Sequence, residues 1–259
     1  MKTFLLILFI VTFTAVPQAN AYQGTVISTT TKVFAVITKN LKAFPEDEII
    51  RLSKLSDEAG GTKKIGNELS KLNLPNEVLE DTFMRIALYQ GKITRKEAEG
   101  MYSRLGNIPG FRTTLRKIIG NSDAKTTGHL NELRIADTAL ANGFKVLGIG
   151  ENFSDGLKKA PTDLDVVIQK GEKIFAIEAK DYASTSKLAM DKYRADLDTL
   201  KAYAENNNSV VPVFTITNKP IDPGYLQVLQ YEADKRAIQL IIGNPVEQIE
   251  QIKLLGEIL

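Results

Sequence analysis

The chain has 259 residues, no cysteine and one histidine, and its 33 Lys and Arg against 31 Asp and Glu leave a formal charge of +2. The lack of cysteine excludes a disulfide framework and a thiolate metal site alike, so stability has to come from packing. The balanced charge decides nothing about nucleic acid, because an acidic site with a basic rim can sum to nearly zero.

Met1 to Ala21 has the three parts of a secretory leader: Lys2, an apolar run from Phe4 to Val16, and the small-residue exit Ala19-Asn20-Ala21. The run is shorter than the roughly 18 to 20 residues that span a bilayer. The expectation is export, secreted or periplasmic, with the mature chain starting at Tyr22 and keeping no membrane span. Residues 22–120 read as a helical accessory region broken often by Gly or Pro. Its apolar stripes are Ile49, Leu52 and Leu55; Val78, Leu79, Phe83, Ile86 and Ala87; and Phe111, Leu115, Ile118 and Ile119.

Residues 121–259 read as a second domain. Asn121 to Thr127 is small and polar, which predicts a linker. A helix from about His129 to Asn142 ends at Gly143, and a strand follows near Phe144 to Ile149. A loop with Gly150, Asp155, Gly156 and Pro161 leads to strands near Thr162 to Gln169 and Lys173 to Asp181. A long helix is expected from about Ser184 to Asn206, strands at Val210 to Thr217 and Ala237 to Ile242, a helix after Pro223 and a last one from Pro245. The order αβββαβ with a further αβα predicts an α/β domain with a mixed central sheet flanked by helices.

The chemistry concentrates in the paired strands. If Gly171-Glu172 is a two-residue hairpin turn, Asp165 faces Glu178 and Asp163 faces Lys180. Alternation then puts Asp163, Asp165, Glu178 and Lys180 on one face, and Leu164, Val166, Ile168, Phe175, Ile177 and Ala179 on the other. Opposed carboxylates repel unless a cation or a lysine lies between them. Oxygen-only ligands favour a hard ion, Mg²⁺ first and Mn²⁺ second, suited to stabilising charge on a phosphoryl oxygen. Around this centre, His129 is a candidate proton donor or phosphate contact, and Tyr182 a candidate to stack on a base. Lys187, Lys192 and Arg194, and the pair Arg112 and Arg116, are candidate phosphate contacts. The same charges also suit an exposed hairpin with a surface ladder. Asp123-Ala124-Lys125, in an expected loop, shows how little a bare acidic-x-Lys pattern means.

Glu178-Ala179-Lys180, preceded by a strand with Asp165 and a helix with Glu132, resembles the PD-(D/E)xK nuclease superfamily over about Gly128 to Asn218. The resemblance implies a restriction-endonuclease-like core, with Asp165, Glu178 and Glu132 as metal ligands and Lys180 as the catalytic lysine. The Pro-Asp of the pattern is absent: Pro161-Thr162-Asp163 precedes Asp165, so Asp163 and Asp165 both remain candidate ligands, with the hairpin favouring Asp165. A weaker likeness is to C-terminal nuclease domains of bacterial contact-dependent toxins. The resulting expectation is an exported Mg²⁺-dependent endonuclease acting on DNA or RNA, in a toxin setting with a cognate inhibitor protein. The alternative is a non-catalytic, immunity-type binding module on the same fold.

Overall fold

The turn at Gly171-Glu172 sets the centre of the sheet. In the computed structural model, which describes residues 80, 84, 87–88, 91–118, 123–153 and 162–258, Lys170 lies opposite Lys173 and Val166 opposite Ile177. Gly171 takes the left-handed conformation (φ 60°) that a tight hairpin needs. The leader, the first two apolar stripes apart from Ala87, Ile119, and Asp155, Gly156 and Pro161 lie outside the described residues.

The described elements run α1 (Arg95–Leu105), α2 (Phe111–Lys117), α3 (Asp123–Ala141), β1 (Lys145–Phe153), β2 (Thr162–Lys170), β3 (Lys173–Lys180), α4 (Met190–Glu205), β4 (Val210–Ile216), α5 (Pro223–Asp234), β5 (Gln239–Ile242) and α6 (Pro245–Ile258). From α3 onward this is the succession expected from sequence. The five strands form one mixed open sheet in the order β1-β2-β3-β4-β5. β1, β2 and β3 pair antiparallel, and β4 and β5 continue parallel to β3. Parallel neighbours need crossover helices, here α4 and α5, which cover one face of the sheet, while α1, α2, α3 and α6 cover the other. One cluster joins Val166, Ile168, Phe175 and Ile177 to α1, α2, α3 and α6; the other joins Leu164, Val167, Ala176 and Phe214 to α4 and α5. The expected division into a core face and a chemical face therefore does not hold.

Three boundaries also differ. The expected linker at Asn121 to Thr127 is helical from Asp123, so α3 begins well before His129 and runs through Gly128. Packing of α3 against β1, β2, β3 and α6 overrides the glycine's low helix propensity. Gly150, expected in a loop, lies within β1 with φ 62°. The helix expected from Ser184 begins only at Met190. Its Ser-Thr-Ser opening forms a turn, with Ser186 N–H donating to Ala183 O (2.8 Å) and Leu188 N–H to the Tyr225 hydroxyl (2.7 Å). These backbone bonds replace the first turns of the expected helix.

The third apolar stripe docks on the sheet: Phe111, Leu115 and Ile118 are fully buried in the cluster shared with α3 and the strands. The approach is close because Gly110 caps α2 at φ 84° and Ile149 N–H donates to Pro109 O at 2.9 Å. A Cβ on Gly110 would stand 1.6 Å from the Ile149 carbonyl oxygen, whereas one on Gly128 meets nothing within 4 Å. The same substitution therefore acts with opposite sign at the two sites. Gly110→Ala lowers unfolding stability by about 3 kcal/mol or more. Gly128→Ala raises it by roughly 0.5 to 1 kcal/mol, as expected for a compatible helix interior. Urea denaturation of both variants checks this, and equal effects would contradict the packing of α2 on β1.

Candidate active site at the fork between two strands

β2 and β3 part company at Asp165. The ladder between them ends at the pair Val166 and Ile177, while β2 stays paired with β1 as far as Thr162. Beyond that pair the Asp165 side chain takes over, with Oδ2 accepting the Ala179 N–H at 2.7 Å. Leu164 and Val166, which strict alternation puts on one face, belong to different core clusters. The alternation is thus interrupted at Asp165, across from Gly150 of β1. Consequently Asp165 is not simply opposed to Glu178 on a shared face, and Asp163 does not face Lys180.

The fork opens into a groove of about 710 Å³ whose lining includes Lys117, His129, Glu132, Asp165, Lys180 and Tyr182. Residues from α2, α3, β2, β3 and the loop after β3 therefore meet in one place. Glu132 is buried, in the interior of α3 rather than in its first turn, so the helix dipole no longer explains it. His129 Nδ1 holds its carboxylate at 2.8 Å. Glu178, also buried, turns its Oε1 to the Lys180 ammonium. The other side of that ammonium meets Asp196 Oδ2 of α4 at 3.1 Å, without the alignment of a hydrogen bond, and the Phe214 ring centroid lies at 5.9 Å. Asp196 went unnoticed in the sequence, although it falls on the buried stripe Tyr193, Leu197, Leu200 of α4, where an acidic residue is a usable signal.

These carboxylates outnumber the positive charge beside them. Burial pushes the Asp165 carboxyl well above the usual range, and Glu178 and Glu132 push it further, against Lys180 and the Ala179 N–H. Burial likewise raises Glu178, against Lys180 but with help from Asp196 and Glu132, to about 7. Burial alone would lower the Lys180 ammonium, but Glu178, Asp165 and Asp196 together outweigh it and raise its pKa. An excess of buried negative charge with oxygen donors fits a hard divalent cation in charge and chemistry. As the side chains stand, no three acidic or histidine side chains among the described residues converge on one point.

The remaining candidates are engaged elsewhere. Asp163 is exposed and pairs with Lys117 at 3.2 Å. Arg112 (2.8 Å) and Arg116 (3.8 Å) compensate the buried Glu80. Lys187 lies in the loop before α4, not on the helix, and pairs with Asp222 at 2.9 Å. Arg194 bridges α4 to Glu232 of α5 at 3.0 Å, and Lys192 is exposed away from the groove lining. Of the predicted substrate contacts, His129 and Tyr182 reach the groove.

A scan of protein-family models and searches of curated proteins and solved structures return no match to this chain. The geometry therefore carries the functional reading by itself.

The raised carboxyls make stability depend on pH with a definite sign. Glu178 has a folded pKa of about 7 against an ordinary 4.5, so its contribution favours the fold below about pH 4.5 and is lost as pH rises through 7. The loss amounts to about 3 kcal/mol at most. Lys187 holds Asp222, and Arg194 holds Glu232, below the ordinary carboxylate range; their contributions are instead lost as pH falls, outside this window. In metal-free buffer the urea midpoint should fall between pH 5 and about 7.5, and Glu178→Gln should flatten that slope. An identical slope in both proteins would refute the assignment.

Proposed function

We propose that the chain is a divalent-metal-dependent nuclease that hydrolyses phosphodiester bonds of DNA or RNA at the fork, and that its core belongs to the PD-(D/E)xK, restriction-endonuclease-like type. The single observation behind this reading is the electrostatic coupling of half-buried Asp165 and buried Glu178 with Glu132 and Lys180, beside a groove that Asp165, Glu132 and Lys180 line. Carboxyls that burial and neighbouring carboxylates hold above their ordinary range, as here Asp165 and Glu178, cost stability, so their retention beside one lysine suggests a bound cation and chemistry.

Asp165, Glu132 and Glu178 are the residues that would hold Mg²⁺, or Mn²⁺, which when bound supplies Lewis-acid stabilisation of the phosphoryl oxygens. Lys180 adds a positive charge beside the reacting phosphorus, where negative charge builds as the water oxygen bonds to it and the ester oxygen departs. His129 is fixed by Glu132 through Nδ1, which leaves Nε2 to contact a phosphate oxygen or to protonate the leaving oxygen. Tyr182 offers a ring to a base at the groove edge. The reading includes export through the leader at Met1 to Ala21, which keeps the activity away from the producer's own nucleic acid, and a toxin role restrained by a cognate inhibitor. No helix among the described residues is long and apolar enough to cross a membrane.

A second reading has one observation in its favour. The Lys180 ammonium is already held between Glu178 and Asp196, which also suits a non-catalytic nucleic-acid- or protein-binding module with a structural ion pair at the fork. One assay separates the two. Incubated with plasmid DNA, single-stranded DNA or tRNA, the purified protein should cleave at least one with Mg²⁺ and stop in EDTA. Lys180→Ala should lower kcat by about 10²- to 10³-fold. Binding without cleavage in either Mg²⁺ or Mn²⁺ would instead select the binding module.

A further inference from the structure

A groove walled by Glu132, Asp165 and Asp181 repels a polyanion unless cations stand around it. A metal at the carboxylates answers for the reacting phosphate, but the flanking phosphates need partners of their own. Lys180 is committed to Glu178 and Asp196, and Arg112, Arg116, Lys187 and Arg194 are paired away from the groove. Lys117, the last residue of α2, lies on the groove wall beside His129 and Asp165. It arrives from the segment that sequence reading set apart as accessory.

We propose that Lys117 is a substrate-positioning residue whose ammonium binds a backbone phosphate flanking the scissile one, exchanging Asp163 for it. Giving up the Asp163 pair costs little. Lys117 and Asp163 are 3.2 Å apart with side chains 37% and 49% exposed, and solvated pairs of this kind contribute little stability. A phosphate offers the ammonium the same oxygen chemistry, and its binding also releases condensed counterions. Until substrate arrives, Asp163 holds the ammonium. This gives Asp163 the part of counter-ion to Lys117 instead of metal ligand. The second proposal rests on the nuclease reading for the identity of its ligand.

The test is fluorescence anisotropy with a labelled random-sequence DNA duplex and a labelled RNA hairpin. Ca²⁺ replaces Mg²⁺, giving the carboxylates a cation of equal charge and looser geometry. Wild-type protein should bind at least one probe. Lys117→Ala should weaken that binding by roughly tenfold at low salt and, for the duplex, flatten the plot of log K against log salt by about 0.9. Lys117→Arg should restore both, and Asp163→Asn should tighten binding. A Lys117→Ala protein with wild-type affinity and salt slope overturns the proposal, even where Mg²⁺-dependent cleavage is intact. Salt-sensitive, Lys117-dependent binding without cleavage overturns the catalytic reading and leaves this one standing. A wild type that binds neither probe overturns both.

Discussion

The Lys180 ammonium pairs with Glu178 and Asp196, and the charges of Asp165 and Glu132 act on the same group of side chains. Groups taken out of water in this way carry a desolvation cost that a single ion pair does not recover. The rest of the fold can be understood as what holds them there. β3 is central in the sheet and stays paired with β4 through Lys180, which keeps Glu178 out of solvent and Lys180 at the groove. α4 brings Asp196 against one face of the sheet, α3 brings Glu132 against the other, and β2 gives up its ladder with β3 so that Asp165 can turn into the gap.

That surrender of pairing is local. An antiparallel ladder that continued through Asp165 and Glu178 would present a regular face with no room between the strands. Ending the ladder at Val166 and replacing the next backbone acceptor by a carboxylate keeps the Ala179 N–H satisfied and opens a groove. Gly150 in β1 accommodates the irregularity on the neighbouring strand through its left-handed conformation. α2, clamped to β1 through Gly110, then closes one wall and carries Lys117 to it.

Much of this was legible in the sequence, for physical reasons. The hairpin turn and the run of strands and helices from α3 to α6 follow from local periodicity and from glycine and proline positions, which act over a few residues. Asp165, Glu178 and Lys180 were singled out by their places on the paired strands, and Glu132 by the resemblance. What escaped depends on tertiary context. Strict alternation could not reveal that Asp165 breaks it, since the cause lies across the sheet. Lys117 and Asp163 are 46 positions apart, and nothing local links them. Arg112 and Arg116 look in sequence like any solvated basic face, yet a buried Glu80 claims them. The polar stretch before Gly128 looked like a linker because the packing of α3 as a whole on its neighbouring elements has no local signature.

Calorimetric titration with Mn²⁺ tests most directly the proposal that the carboxylates at the fork hold a divalent cation. The wild-type protein should bind Mn²⁺ saturably, with binding abolished in Asp165→Asn and retained in Asp163→Asn. No binding by the wild type, or equal loss in both variants, would contradict it.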